Sequence, residues 1–476
     1  WFGRGVGVLT ALLLAINPSF IWFSRQGISV TSVMTVFSLG SLLAFEYWRL
    51  EIRDLRLDAA TANRAQSPLS TLQSLITPRQ NRQNRQSAIG NRQWLILAGL
   101  LLGLGLWAKL LFLWWIVALG AMTLVWVLSA GGQRRWPARV TARLWLVLRA
   151  LPWALLGALI GALPLIYYNL ADLLRQPFDL RNAYTLGLLF KSLLQPTDYG
   201  VNNLDLLTNL GKAWADFTVY IDGSYFWYIS GVPYSNVLAL PALGVSVSVG
   251  SLLALRRPEW RRWLALLAAL VVTVFISAFT VSGFWATHLF ILAGLPQMVL
   301  AAGAVWLAAW LAQQIVRQAA PALTAGLAVL LLALPASRDV WVSEQHHAKL
   351  AQTGGSGRFS DAVYKLAAHL DAQHINAPVA LDWGIEKNVR VLTADRVRPA
   401  EVFGFSPEPD EAFKQRVREL LADPAQQYIV LWDRFAVYNR RTAFTQMAEQ
   451  MGKRVTETFI AHERSGLPVY VMLQAQ

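Results

Sequence analysis

Long apolar runs alternate with short polar connections from Gly5 to Pro335. Runs of about 20 residues can cross a hydrocarbon core about 30 Å thick, and on that measure about nine membrane spans are predicted. They lie near Gly5–Phe23, Ile28–Trp48, Trp94–Trp107, Leu110–Ser129, Leu144–Tyr168, Tyr234–Leu255, Trp263–Val281, His288–Trp310 and Pro321–Pro335. Pro18, Pro152, Pro164, Pro241 and Pro296 fall inside them. Membrane helices tolerate such breaks where neighbouring helices or water satisfy the freed carbonyls.

The pattern changes after Ala336, so the chain divides into a helical bundle over 1–336 and a soluble α/β domain over 337–476. FSDAVYKLAAHLDAQH has helical spacing, with Ser360 placed to cap it. PVALDW, VRVLTA and QYIVLW read as short buried strands, at Pro378, Val389 and Gln427. DEAFKQRVRELLAD and YNRRTAFTQMAEQMG supply helices, and RVTETFIAHERSGLPVYVMLQ a closing hairpin. Strands alternating with helices predict a small, mostly parallel sheet with an antiparallel edge. The fold class is therefore a polytopic α-helical membrane protein with a C-terminal soluble α/β domain.

Composition agrees, with 55% hydrophobic and only 15% charged residues in 476. A formal net charge of +14 would suit a nucleic-acid partner, but the arginines fall in the short loops, where they report topology. Arg49, Arg53, Arg56, Arg64, Arg79, Arg82, Arg85 and Arg92 fill the second connection, within a basic loop over 49–93. Arg134, Arg135, Arg139 and Arg143 fill the fourth, Arg256, Arg257, Arg261 and Arg262 the sixth, and Arg317 lies in the eighth. If every span crosses once, these connections share one side, which the positive-inside rule makes cytoplasmic. Ser67–Arg92 has no apolar period and reads as irregular. The Ser24–Gly27 turn, the connection over 169–233 and the soluble domain then lie outside, the connection being aromatic enough to form interfacial helices. Cysteine is absent, which excludes disulfides and thiolate metal sites. No signal peptide is expected at Trp1, and the sequence reads as starting partway through a longer protein.

Chemistry could sit in either part. In the soluble domain, GGSGRF at Gly354 suits a phosphate cradle but reads better as a flexible linker, because no strand clearly precedes it. His346, His347, His369 and His374 lack an ordered set of carboxylate partners, so neither a metal nor a cofactor is expected. Asp382 and Glu386 end a strand, where they more often cap a turn than react. The bundle offers a more coherent set. Arg25 ends the first span, Lys109 lies near the outer end of its span, Asn169 follows the fifth, and His288 opens the eighth. Each alone could be snorkelling or capping, but all map to one leaflet. Arg25 and Lys109 suit a phosphodiester or diphosphate, with His288 beside them. The acids Asp198, Asp205, Asp216 and Asp222, with Asp172 and Asp179, are candidate bases, and Asp198, Asn202, Asp222 and Asn169 candidate pocket residues.

The segment SRQGISVTSVMTVFSLGSLLAFEYW, the LAGLLLGLGLWAKLLFL hairpin, the PLIYYN exit and THLFILAGLP together resemble the GT-C membrane glycosyltransferases, of the protein-mannosyltransferase and aminoarabinose-transferase type. The resemblance covers essentially the whole chain and rests on order and topology. It implies a multi-pass protein of the cell (inner) membrane, a hexosyl or pentosyl transferase of the glycosyltransferase family 39/83 kind. Such an enzyme takes a sugar from a polyprenyl-phosphate donor and passes it to an acceptor at the outer face. Its partners are that lipid-linked sugar and membrane lipids, with no nucleic acid. It also implies a general base on an outer loop upstream of Trp1, with about two further helices there and roughly eleven spans in all. Val30 stands where many relatives carry an acid, with Ser29 beside it. An alternative reading is a non-catalytic subunit of the same fold, docked with other membrane protein subunits.

Overall fold

Asn17 and Pro18 set the first feature of the fold. Helix α1 (Arg4–Ile16) and helix α2 (Pro18–Arg25) meet there at a 63° bend. Proline has no N–H to continue the α1 ladder, and Asn17 Oδ1 caps the new helix by accepting the Phe20 N–H at 3.1 Å. The computed structural model describes residues 1–25, 31–65, 79–129, 136–175, 187, 191–196, 201–280, 285–316, 321–404, 406 and 408–476. Helices α3 (Thr31–Ala65), α4 (Arg79–Ala108), α5 (Leu113–Leu128), α6 (Trp136–Gly161) and α7 (Leu163–Arg175) follow. Helix α4 thus extends into sequence that reads as irregular, the difference lying in Arg79–Arg92.

The closest helix pairing is α4 against α6, and glycine makes it possible. A Cβ on Gly99 would lie 1.9 Å from the Ala154 carbonyl oxygen, and one on Gly103 2.1 Å from that of Ala158. Reciprocally, a Cβ on Gly157 would meet the Ile96 carbonyl at 2.1 Å, and one on Gly161 the Leu100 carbonyl at 2.2 Å. Two small-residue ridges four apart let the backbones touch, the device that holds helices together when lipid removes the hydrophobic drive. Gly157→Val should therefore lower the thermal unfolding midpoint sharply. Gly326→Ala should not, since nothing lies within 4 Å of a Cβ there. Equal midpoints for the two variants would show that this crossing does not hold the bundle.

Helix α8 (Leu206–Asp222) lies in the long connection as an amphipathic helix, burying Ala213, Phe217, Tyr220 and Ile221 while Leu207 and Trp214 face out. Helices α9 (Ala239–Ala254), α10 (Trp260–Ile276), α11 (Leu295–Ile315) and α12 (Pro321–Thr353) complete the helical part. Among the described residues, four helices are long and apolar enough to cross a membrane: Leu110–Leu128, Pro137–Gly161, Leu295–Ile315 and Pro321–Thr353. The bent α1–α2 pair would be a fifth. Nine crossings are not established at this standard, because Arg92–Ala108 and Ala239–Ala254 are apolar but shorter. Exposed Leu148, Leu155 and Leu159 on α6, and Val329, Leu330 and Leu334 on α12, form the apolar faces expected of a membrane protein.

The two ends of the bundle differ chemically. At one end Arg49, Arg143, Arg261 and Arg262 line a cavity of about 470 Å³ with Trp1, Trp126, Glu46 and Glu259. Lys109 and His288 belong to the other end. There α12 continues past the bundle to Thr353, so the boundary expected at 336–337 falls inside one helix.

Beyond α12 the sheet runs β2-β1-β3-β5-β4, with β1 (Val379–Ala380), β2 (Ala400–Glu401), β3 (Gln427–Leu431), β4 (Val455–His462) and β5 (Pro468–Ala475). The strands β1, β2 and β3 pair in parallel, while β3–β5 and β5–β4 are antiparallel. The strands expected at Pro378 and Gln427 and the closing hairpin are present. VRVLTA, expected as a strand, is instead part of a helix, Glu386–Leu392. Its start is fixed from outside: one Glu401 carboxylate oxygen accepts the N–H groups of Gly384, Ile385 and Glu386 at 2.9–3.0 Å. Val389 is buried and Val391 80% exposed, which places them on opposite sides although a strand would align them.

Candidate functional site

The turn between α10 and α11 gathers polar groups from several elements. Leu289, Phe290, Ile291 and Leu292 are buried and anchor it. The Phe290 carbonyl accepts from the Thr35 hydroxyl at 3.1 Å, and Gly294, at φ 91, ends the turn before α11. With its apolar back fixed, the turn offers Ala286, Thr287 and His288 to polar neighbours.

Each of these three meets a different group. The Ala286 N–H donates to the Asp216 carboxylate on α8. The Thr287 hydroxyl hydrogen-bonds Tyr225, which lies close enough to Asp216 and to Arg358 to feel both charges. His288 takes the Trp285 N–H on Nδ1 at 3.3 Å, which makes Nε2 the donor of the neutral ring. Its ring meets Trp114 edge-on at 6.4 Å and lies within the field of the Lys109 ammonium. Lys109 stands at the break between α4 and the short Leu110–Phe112 turn, its carbonyl accepting the Phe112 N–H at 2.9 Å. The backbone at that break is extended, with φ −161, and the Lys109 side chain is half-buried.

Desolvation dominates the electrostatics on the α8 side. Burial raises the Asp216 pKa from 3.8 to about 6, with the Ala286 N–H pulling the other way. The Tyr225 phenol is pushed up to about 12, first by burial and then by the Asp216 charge. Asp222 is also raised by burial, though its carboxylate is engaged by Ser224, whose N–H it accepts at 2.8 Å.

The residues singled out from sequence fall into groups. Lys109 and His288 come together. Arg25, at the end of α2, hydrogen-bonds the His347 ring at 3.1 Å, and Trp22 packs against that ring at 4.7 Å, tilted by 35°. Asn169 donates back along its own helix to the Leu165 carbonyl at 2.8 Å. Asn202 closes the turn before α8 by accepting the Leu204 N–H, and Asp205 caps α8 through the Thr208 N–H. Asp198 and Asp179, with Ser29 and Val30, lie outside the described residues, as does the Asp172 side chain. Asp382 accepts the backbone N–H groups of Trp383, Val437 and Tyr438, as a turn cap does. Glu386 pairs with Lys387 and Arg390.

Thr287, Trp114, Tyr225 and Arg358 carry the site without having been singled out by their sequence. The only available signal was position: Thr287 precedes His288, and Trp114 follows Lys109 by just over one turn.

No protein-family model matches the chain, and no curated protein matches it. Among solved structures it is similar to the archaeal oligosaccharyltransferase AglB from Archaeoglobus fulgidus, in complex with an inhibitory peptide and a dolichol-phosphate. The TM-score is 0.44 at 14% identity, over 94% of this chain and 57% of that one. The chain therefore spans little more than half the length of that enzyme.

Proposed function

We propose that the protein is a membrane glycosyltransferase that moves a sugar from a polyprenyl-phosphate donor to an acceptor at the non-cytoplasmic face. The observation that carries this is the Ala286–His288 turn, where a carboxylate of pKa about 6 and an ammonium meet residues two apart. Lys109, with the His288 N–H, holds the donor phosphate. Asp216 accepts the proton of the acceptor hydroxyl as that oxygen bonds to the anomeric carbon. The bond from that carbon to the phosphate oxygen breaks, and the polyprenyl phosphate leaves as an anion stabilised by Lys109. Arg25, held at His347, is a further cation at the same end that adds charge rather than contact. Asn169, Asn202 and Asp222 support their own helices and turns.

Asp216 differs from the other described acids of the long connection. Asp205 and Asp222 spend their oxygens on helix and turn N–H groups of their own segment. The Asp216 carboxylate reaches across to another element, beside His288. A base must keep its proton affinity near the working pH, and burial supplies that here.

The test is transfer by the complete protein in lipid nanodiscs, with labelled polyprenyl-phosphate sugars as donors. Release of polyprenyl phosphate coupled to sugar transfer or to donor hydrolysis is expected. If no donor is turned over while the protein co-purifies stoichiometrically with a catalytic membrane partner, the non-catalytic subunit reading takes its place.

A further inference from the structure

The GGSGRF loop does not behave as a simple connection. Gly354, Gly355 and Gly357 have φ of 74, 106 and 54, and a Cβ on Gly355 would lie 2.4 Å from the Phe359 carbonyl oxygen. The loop closes on itself through Asp361 N to Gly354 O at 2.8 Å and Ser360 N to Gly357 O at 2.9 Å. Buried Glu463 accepts the Gly357 N–H at 3.0 Å, and the buried Tyr470 hydroxyl donates to the Arg358 carbonyl at 3.1 Å. The backbone of Arg358 is therefore pinned to the sheet, at the point where the domain meets the bundle through Phe359 on Tyr228, 4.7 Å apart.

What this scaffold presents is a guanidinium between two rings, 4.8 Å from Phe359 and 5.0 Å from Trp383. Among the described residues it has no hydrogen-bond or salt-bridge partner. Asp382 acts on it through space, with its oxygens committed to backbone N–H groups, and Tyr225 lies on its bundle side. A half-buried arginine held flat by aromatic faces keeps its fork of donors for an outside oxyanion.

The neutral Tyr225 phenol lies between this cation and Asp216, so the polar groups run in the order Lys109, His288, Asp216, Tyr225, Arg358. In a displacement the base sits on the acceptor's side of the reacting carbon, away from the leaving phosphate. Accepting the transfer reaction proposed above, we infer that Arg358 binds the acceptor and that the acceptor carries a carboxylate or phosphate beside its reacting hydroxyl. The lipid phosphate belongs to Lys109, at the ends of apolar helices, and the acceptor enters under the α/β domain.

Chemical modification tests this without requiring turnover. The complete protein is treated with phenylglyoxal, and modification of Arg358 is followed by peptide mass spectrometry. Glucuronate or glucose 6-phosphate should slow the modification by about tenfold. Neutral glucose and polyprenyl phosphate should leave it unchanged. Lack of protection by either anion overturns the inference, as does equal protection by glucose. Protection by polyprenyl phosphate alone would reassign Arg358 to the donor. In transfer assays Arg358→Gln should raise the KM for an anionic acceptor by about tenfold or more, and Arg358→Lys should restore part of the loss. A wild-type protein that protects Arg358 yet turns over no donor would sink the transfer reading and leave the anion site standing.

Discussion

Asp216→Asn is expected to reduce sugar transfer by about 10²–10⁴-fold, the usual contribution of a positioned general base. The amide keeps the size of the side chain and can still accept the Ala286 N–H, so the loss would be one of proton acceptance. The wild-type rate should also carry the signature of the group. With a pKa near 6, the carboxylate is ionised above that pH, and kcat/KM should fall about tenfold per unit below it. The Asp216→Asn variant should lack that limb. Stability should move in the opposite direction. The folded pKa lies above the unfolded value of 3.8, so the folded protein binds this proton more tightly. The associated stability is present in full below the unfolded value and is lost as pH rises through about 6. At pH 7.5 the ionised, half-buried carboxylate is a burden, and the variant should melt at a higher temperature than the wild type. At pH 4 the two should nearly coincide. A less active, more stable protein is what a catalytic acid predicts, whereas a structural acid predicts a less stable one. Asp205→Asn, at the α8 cap, serves as that structural control. If Asp216→Asn keeps full activity, Asp216 is not the base.

The sequence disclosed the bundle better than the site, for physical reasons. Apolar runs and loop arginines act over many residues, so they survive uncertainty at any one position. Helix α8 could be anticipated in the same way, since Phe217, Tyr220 and Ile221 recur on one face. The glycines at 99, 103, 157 and 161 stand as pairs four apart in apolar stretches, and nothing in either pair alone says that it faces the other. Single-segment propensity failed at VRVLTA. Its valines favour a strand, and the carboxylate of Glu401, a residue beyond the segment, makes it a helix.

At the site, residue type and depth identified Lys109 and His288 but not their company. Asp216 and Asp222 lie on one helix six residues apart, and both read as loop carboxylates. Only the fold shows that one caps its own segment while the other meets Ala286. Arg25 is the converse case. As the first cation after an apolar run it stood out, yet its partner is His347, more than three hundred positions away. The GGSGRF glycines read as a flexible linker, but glycine at positive φ serves a closed loop equally well. The sheet contacts of Gly357 and Arg358 decide between them.

Lys109→Ala should reduce kcat for transfer by about 10²–10³-fold, the range found when one preorganised donor to a developing anion is removed. The departing group is a phosphate whose charge grows as the glycosidic bond breaks. A cation that binds it more strongly in the transition state than in the donor must therefore act on kcat. Lys109 is suited to this because the break after α4 holds its backbone while four methylenes let the ammonium follow the leaving oxygen. Lys109→Arg should recover part of the rate, since the charge returns with a bulkier and less mobile head. Arg25→Ala should cost much less and act mainly on the KM for the donor, because that guanidinium is exposed and held at His347. Rapid-quench measurement of a single turnover, compared with the steady state, separates chemistry from release of the lipid. If Lys109→Ala changes only the donor KM, Lys109 is a docking residue and the developing charge must be met elsewhere, with His288 as the next group to vary. If Arg25→Ala proves the more damaging of the two for kcat, the phosphate lies at the end of α2 and the assignment of donor and acceptor sides reverses.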